Sequence, residues 1–246
     1  AYDGTDYHGW QFQPGLKTVQ GCLCQAAQAL LGQAVHVQGA GRTDSGVHAQ
    51  GQVAVIETVS HPGAGGLVLG LNAHLPQDIS VLEAQSVAPA FDVMRDVQQK
   101  HYRYTICTSR ACPPHLTRFC WHIPAQLDAD SMNAAAQCLI GTHDFRSFAI
   151  SVDAQQNTTR ALGRCDVSRD SDQDIIHIDT EGKGFLHHMV RIITGTLVDI
   201  SRGHWRPEQI VDILEAKQRR AAGRLAPARG LCLERIDYGE ALDRHA

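Results

Sequence analysis

The sequence predicts an α+β fold made of two similar α/β halves. Helix and strand patterns do not alternate one for one, which argues against a doubly wound parallel sheet. The second half repeats the mixture of helices and strands of the first. A chain of 246 residues is long enough for one large domain or two modest ones. We place the join near residues 88–98 and divide the chain into 1–96 and 97–246.

The first half contains a clear helical pattern. Apolar residues recur at helical spacing from Val19 to Leu31, between a candidate N-cap at Thr18 and Gly32 just past the end. The other predicted elements of this half are strands at 34–38 and 52–57, a short helix at 67–71 and a strand at 79–87.

The second half opens on a strand with one buried face, since Tyr102, Tyr104 and Ile106 alternate with polar residues. Asp130 is expected to cap a helix that ends at Gly141. The remaining predictions are a hairpin of strands 161–168 and 175–181 joined by an acidic turn at 170–174, a long helix at 186–201, a helix that starts at Pro207 and a closing strand at 232–238.

Composition excludes several classes of protein. The sequence has no apolar run of about 18 residues and no signal-peptide pattern, so we expect a cytoplasmic protein with no membrane association. Ala1 falls inside a strand-like pattern, so a few residues are expected to precede it. The eight cysteines contain no C-x-x-C pair and the histidines no H-E-x-x-H, so no metal is expected.

The net charge of −4 counts against a polyanionic partner, but the basic residues are clustered. One block runs from Arg95 to Arg118 and a second from Lys217 to Arg229. A solvated cationic surface is the alternative interpretation. As candidate nucleic-acid contacts we select Arg95, Arg103, Arg110, Arg219 and Arg220.

The segment 39–49 is a glycine-rich loop that contains a carboxylate, Asp44, between Arg42 and His48. It does not match the dinucleotide fingerprint G-x-G-x-x-G, because Asp44 takes the third glycine position, nor the phosphate-binding loop, because Val47 and His48 follow Gly46 where Lys and Ser or Thr are required. A fixed negative charge would also oppose anion binding. One interpretation is a catalytic carboxylate that the nearby arginine keeps ionised. The alternative is an aspartate that satisfies the backbone of a turn.

Four separated stretches carry a resemblance to a known family. They are Tyr2–Trp10, with the sequence YDGTDYHGW; Gly39–Ala49, with GAGRTDSGVHA; Tyr102–Tyr104; and Gly184–Arg191, with GFLHHMVR, which is followed by Gly195 and by 226–231. With these motifs in this order, the chain resembles the TruA family of tRNA pseudouridine synthases.

The resemblance implies a mixed, mainly antiparallel sheet with a central RNA-binding cleft. It implies isomerisation of uridine to pseudouridine in the anticodon stem-loop of tRNA, at positions 38–40, by a homodimer. No cofactor is expected, because substrate and product are isomers.

The same resemblance assigns roles to individual residues. Asp44 is the nucleophile, which attacks C6 of uracil or C1′ of ribose or removes a ribose proton. Tyr102 stacks on the uracil and reaches the proton at C5. The other assignments are Arg42, which enters the RNA stack when the target nucleotide flips out, Arg191, which pairs with Asp44, and His48, which supports the loop.

Two other functions fit parts of the sequence. Asp44-Ser45-Gly46 matches the D-[ST]-G of aspartic proteases, but that chemistry needs two such carboxylates, and a second copy of the motif is missing from the sequence. A non-catalytic RNA-binding protein would use the basic blocks and aromatic residues without needing Asp44.

Overall fold

The structure is a computed structural model that describes residues 1–58, 62–153, 155–170, 172 and 174–239. Its α-helices are α1 (Val19–Leu31), α2 (Gly63–His74), α3 (Ala129–Gln137), α4 (Met189–Ser201) and α5 (Ile210–Ala216). Its β-strands are β1 (Val37–Gly39), β2 (His48–Ala49), β3 (Ala54–Ile56), β4 (Gln99–Cys107), β5 (Trp121–His122), β6 (Gly141–Asp144), β7 (Thr159–Asp170), β8 (Ile175–Gly182) and β9 (Leu231–Asp237).

The chain divides into two compact units. Unit 1 contains residues Ala1–Gln98 and the C-terminal segment that begins at Leu233, and unit 2 contains Gln99–Cys232. Helices and strands are mixed and the strands are mainly antiparallel in an open sheet, so the predicted α+β class is confirmed. The predicted domains 1–96 and 97–246 stay a prediction. No helix within the described ranges is long and apolar enough to cross a bilayer.

Unit 1 begins with the helix that the sequence predicts. The Thr18 side chain accepts the N–H of Gly21 at 3.2 Å, and Gly32 closes α1 with a left-handed φ of 69°. Helix α2 is longer than the predicted 67–71 and lies against α1. A Cβ on Gly70 would lie only 2.4 Å from Leu30 Cδ1, so the absence of a side chain at Gly70 allows α2 to approach α1 this closely. Strand β1 pairs antiparallel with β3 and leads the chain directly into the Asp44 loop.

The predicted strand at 79–87 is wrong. Only Ile79 forms a bridge, to Tyr2. The Asn72 side chain of α2 donates to the Val81 carbonyl and accepts the Val81 N–H, each at 2.8 Å. The backbone of Val81 is therefore not available to a neighbouring strand. Leu82 is 70% exposed, which shows that the apolar pattern here does not mark a buried face.

Unit 2 contains the larger sheet. Strands β4, β8, β7 and β6 are neighbours in that order, and each adjacent pair is antiparallel; β5 lies parallel beside β4. The β7–β8 hairpin is therefore as predicted, although residues 171 and 173 of its turn lie outside the described residues. Helix α4 is buried from Met189 to Ile200 and packs against α3 and β4. A helix that is buried on all sides in this way has no polar face turned to solvent.

Three predicted helix boundaries in unit 2 are wrong. The N-cap of α3 is Asp128, which accepts the Ser131 N–H at 3.1 Å, and Asp130 lies in the first turn. The helix ends at Gln137, before Gly141 begins β6 with a φ of 108°. The long helix α4 begins at Met189 rather than at 186, because His188 adopts a left-handed φ of 64°.

Candidate active site

Asp44 lies in a tight turn between β1 and β2. The N–H of Val47 donates to the Asp44 carbonyl at 3.1 Å, and Gly46 has a φ of 78°, which L side chains rarely adopt. The Asp44 side chain is half-buried. Backbone hydrogen bonds of Val47 and Gly46 thus hold the turn around Asp44.

The N-terminal stretch Tyr2–Trp10 holds this loop from one side. The Tyr2 hydroxyl lies 2.7 Å from Thr43 Oγ1, and the Trp10 N–H donates to the Thr43 carbonyl at 3.1 Å. The Tyr7 carbonyl accepts from Ser45 Oγ at 3.1 Å and from the N–H of Gly46 at 3.2 Å. The residues on both sides of Asp44 are therefore fixed by the first motif.

Glycines make this close approach possible. A Cβ on Gly4 would lie 1.9 Å from the Val47 carbonyl oxygen, and one on Gly9, which has a φ of 84°, would lie 2.6 Å from the Thr43 oxygen. A side chain at either position would force the two segments apart. The glycines of the first motif are thus explained by packing against the second.

His48 contacts the first motif at the end of the loop. Its Nδ1 accepts the N–H of Gly4 at 3.0 Å and lies 3.1 Å from Asp3 Oδ1. The imidazole is 4% exposed. An Nδ1 that accepts a backbone N–H helps to fix the loop, which supports the predicted structural role of His48.

Arg42 is exposed at the rim of a cleft in unit 1. The cleft has a volume of about 260 Å³ and is lined by Trp10, Gln11, Gln20, His36, Val37, Gln38, Gly39, Arg42 and Met94. The residue before Arg42 is Gly41, and its carbonyl accepts the Gln52 amide at 2.8 Å. The backbone next to Arg42 is therefore held, while the guanidinium faces solvent.

In unit 2, Tyr102 lies on β4 opposite Thr180 of β8. Its ring is 7% exposed and meets Phe185 edge to face, with ring centroids 5.0 Å apart. Phe185 belongs to the fourth motif, so motifs three and four are in direct contact.

Tyr104, two residues further along β4, joins the same two motifs. Its hydroxyl donates to the Pro227 carbonyl at 2.7 Å, and a Cβ on Gly230 would lie 2.5 Å from its ring. Burial raises the pKa of this phenol, so Tyr104 stays a neutral donor. Tyr104 therefore has a structural role, whereas Tyr102 carries the predicted substrate contact.

Arg191 is buried in the first turns of α4. Its Nε donates to the Ala226 carbonyl at 2.9 Å, and the Ala226 N–H donates back to the Arg191 carbonyl at 3.2 Å. The arginine is 9% exposed. The guanidinium is thus oriented by Ala226. Ala226 belongs to the segment 222–227, of which only residues 226 and 227 were part of the recognised motifs.

The segment 222–227 lies directly against α4. A Cβ on Gly195 would meet the Arg224 carbonyl oxygen at 1.8 Å, and the Gly223 N–H donates to Thr196 Oγ1 at 2.9 Å. Arg224 binds Asp199 through Nε and Nη2, each at 3.0 Å from Oδ1. The sequence alone does not indicate the pair of Asp199 and Arg224, because the two residues are far apart in the chain.

The five predicted RNA-contacting arginines differ in their surroundings. Arg103 makes two hydrogen bonds to the buried Asp179, at 2.9 and 3.0 Å. Burial alone would raise the pKa of Asp179, but the hydrogen bonds from Arg103 and His101 outweigh it and lower the pKa. Arg95 is exposed and binds Asp96 at 3.0 Å.

The other three arginines are at the surface of unit 2. Arg110 is exposed in the loop after β4. Arg219 is half-buried and donates to the carbonyls of Ala222 and Gly223, while Arg220 is exposed and donates to Gln218. Their part in RNA binding stays a prediction, and the exposed positions are the better placed for it.

Comparison with known proteins finds relatives that match nearly the whole chain. Residues 135–239 match a family model described as tRNA pseudouridine synthase. The chain is 42% identical over 237 residues to tRNA pseudouridine synthase A of Pelobacter propionicus, with 96% of each chain covered. It is 44% identical over 240 residues to the protein of the same name from Moorella thermoacetica, with 97% of each covered.

The chain belongs to the tRNA pseudouridine synthase family. The family assignment predicted from four short motifs is thereby confirmed over nearly the whole chain. Within this family member the motifs are joined in pairs, the first to the second around Asp44 in unit 1 and the third to the fourth around Tyr104 and Arg191 in unit 2. Motifs that are far apart in the chain are close together within each unit.

Proposed function

We propose that this protein isomerises uridine to pseudouridine in the anticodon stem-loop of tRNA, at positions 38–40. The observation that carries the proposal is the fixed, half-buried Asp44, held by the first motif in a chain of this family. A reaction that detaches a base and rejoins it requires a group that acts at a defined atom, and the hydrogen bonds around Thr43 and Ser45 supply that precision.

The reaction is balanced without an external reagent. The bond between N1 and C1′ breaks, a bond between C5 and C1′ forms, and the proton on C5 is replaced by one on N1. Asp44 would take part by attack on C6, by attack on C1′ or by removal of a ribose proton. A primary isotope effect with deuterium at C2′ of the target uridine would select the third route.

The remaining roles follow the same proposal. Arg42, exposed beside the unit 1 cleft, would fill the space left by the flipped nucleotide. Tyr102 would stack on the uracil, and Arg191 would pair with the ionised Asp44 during the reaction. The protein would act in the cytoplasm as a homodimer. Light scattering of the purified protein tests the dimer.

An assay on unmodified tRNA tests the function. We predict pseudouridine at one or more of positions 38, 39 and 40, with no change elsewhere in the anticodon arm. Binding without any conversion would favour the non-catalytic RNA-binding protein. Cleavage of a peptide substrate without any action on tRNA would favour the aspartic-type hydrolase.

A further inference from the structure

Three of the eight cysteines meet at one point in unit 2. Cys107 is the last residue of β4, and Cys112 and Cys120 lie in the loop that follows. Their three Sγ atoms lie within 4.8 Å of one another, and those of Cys112 and Cys120 are 3.5 Å apart. Cys107 and Cys120 are buried, and Cys112 is half-buried.

The fold brings these residues together by a return of the chain. After the loop, β5 pairs parallel with the end of β4, with Cys107 opposite His122. The Ile123 N–H also donates to the Cys107 carbonyl at 2.9 Å. This pairing places Cys120 beside Cys107, which sequence spacing does not reveal because the pattern is C-x4-C-x7-C rather than C-x-x-C.

The separations suit ligands of one ion. Two thiolates bound to a tetrahedral zinc at ~2.3 Å lie about 3.8 Å apart, close to the distance between Cys112 and Cys120. A disulfide would require these sulfurs to approach to about 2 Å. Three sulfurs that face each other therefore resemble one face of a tetrahedral thiolate site.

The surroundings also favour a bound cation. The Arg229 side chain donates through Nε to the Cys120 carbonyl at 3.1 Å. Its positive charge would offset the net negative charge of three thiolates on a divalent ion.

We propose that Cys107, Cys112 and Cys120 bind a thiophilic divalent cation of the zinc type. Each thiol releases one proton to solvent and donates a sulfur lone pair to the ion, with no change in oxidation state. Water completes the coordination on the side of the half-buried Cys112. The site is structural, because it ties the loop at 108–120 to the end of β4, and this loop carries Arg110 and Arg118.

The test uses the full-length protein under reducing conditions with Co²⁺ as the probe and Zn²⁺ as the competitor. We expect sulfur-to-cobalt charge-transfer absorption that saturates at one ion per chain and disappears on addition of Zn²⁺. Cys112→Ser is expected to lose this absorption. The matched control is Cys138→Ser, another half-buried thiol of unit 2, which is expected to retain it.

Limited trypsin digestion gives a second readout that needs neither a variant nor an activity. Zn²⁺ is expected to slow cleavage after the exposed Arg110 and Arg118, and not after Arg202, which is exposed outside this loop. Absence of the cobalt band in the wild-type protein would overturn the proposal. Recovery of a disulfide between Cys112 and Cys120, with no metal uptake after reduction, would overturn it as well.

Discussion

The Tyr2 hydroxyl lies 2.7 Å from Oγ1 of Thr43, and both residues are buried. Thr43 directly precedes Asp44, and its carbonyl accepts the Trp10 N–H. The residue next to the proposed nucleophile is therefore held through its side chain and its backbone by the N-terminal stretch. Small displacements of a reacting group lower rates strongly, so we propose that this stretch positions Asp44 for catalysis.

Tyr2→Phe should lower the turnover rate while leaving tRNA binding nearly unchanged. The substitution removes the buried hydrogen bond with Thr43 and the longer one that the Gln52 amide donates at 3.5 Å, so the free energy of unfolding should fall by about 1 kcal/mol. Urea unfolding and single-turnover kinetics measure the two effects. The control is a double-mutant cycle with Thr43→Val; strictly additive losses of rate would show that this hydrogen bond does not position the loop.

Arg42→Ala should slow the reaction more on folded tRNA than on a short unpaired RNA that carries the target uridine. If the side chain offsets about 1.4 kcal/mol of the unstacking cost, the loss on folded tRNA is about tenfold. Rates on both substrates provide the comparison, with Arg42→Lys as the variant that keeps the charge. Equal losses on the two substrates would leave Arg42 with only an electrostatic role.

Arg220 and Arg219 should respond differently to substitution. Arg220 is exposed, so Arg220→Ala should flatten the plot of log K against log[salt] for tRNA binding by about 0.9, the share of one phosphate contact. Arg219 donates to the carbonyls of Ala222 and Gly223, so Arg219→Ala should mainly lower the melting temperature. Titrations at several salt concentrations and thermal melts separate the two. An unchanged slope in Arg220→Ala would remove this residue from the RNA interface.

Stability should depend on pH through Asp179. Its pKa is lowered in the folded protein, so its ion pair with Arg103 stabilises above the unfolded pKa of about 3.9 and is lost as the pH falls through the folded pKa. Asp179→Asn should cost about 2 kcal/mol at pH 7 and progressively less below about pH 4. Urea unfolding from pH 3 to 7 measures this difference, with the exposed Glu215→Gln as control. A cost that does not change with pH would mean that charge is not the cause.

Local patterns predicted the elements whose cause is local. Thr18 and Gly32 mark the ends of α1 correctly, and the alternation around Tyr104 predicts β4, because caps and side-chain period act within a few residues. The strand at 79–87 was wrong because the Asn72 side chain binds the backbone of Val81. Apolar composition alone carried no information about that competing partner.

The motifs select Asp44 and Arg191 as candidate site residues, and these assignments stay predictions. The contacts that surround them, of Thr43 with Tyr2 and of Asp199 with Arg224, depend on tertiary packing across long stretches of chain and are not visible in the sequence. The cysteine cluster was missed for the same reason, since the parallel return of β5 brings its members together. Residue types predict chemistry, and tertiary structure determines which of them meet.

The most direct test of the account compares Asp44→Asn with the parent protein in single-turnover conversion and in tRNA binding. Asn keeps the shape of the side chain and removes its charge. We predict that pseudouridine formation falls by more than about 10⁴-fold, the scale seen when a nucleophile is removed, while the dissociation constant for tRNA stays within about twofold because binding relies on distributed cations. The control Asp212→Asn, exposed on α5, should behave like the parent. Conversion by Asp44→Asn at near the parent rate would contradict the account.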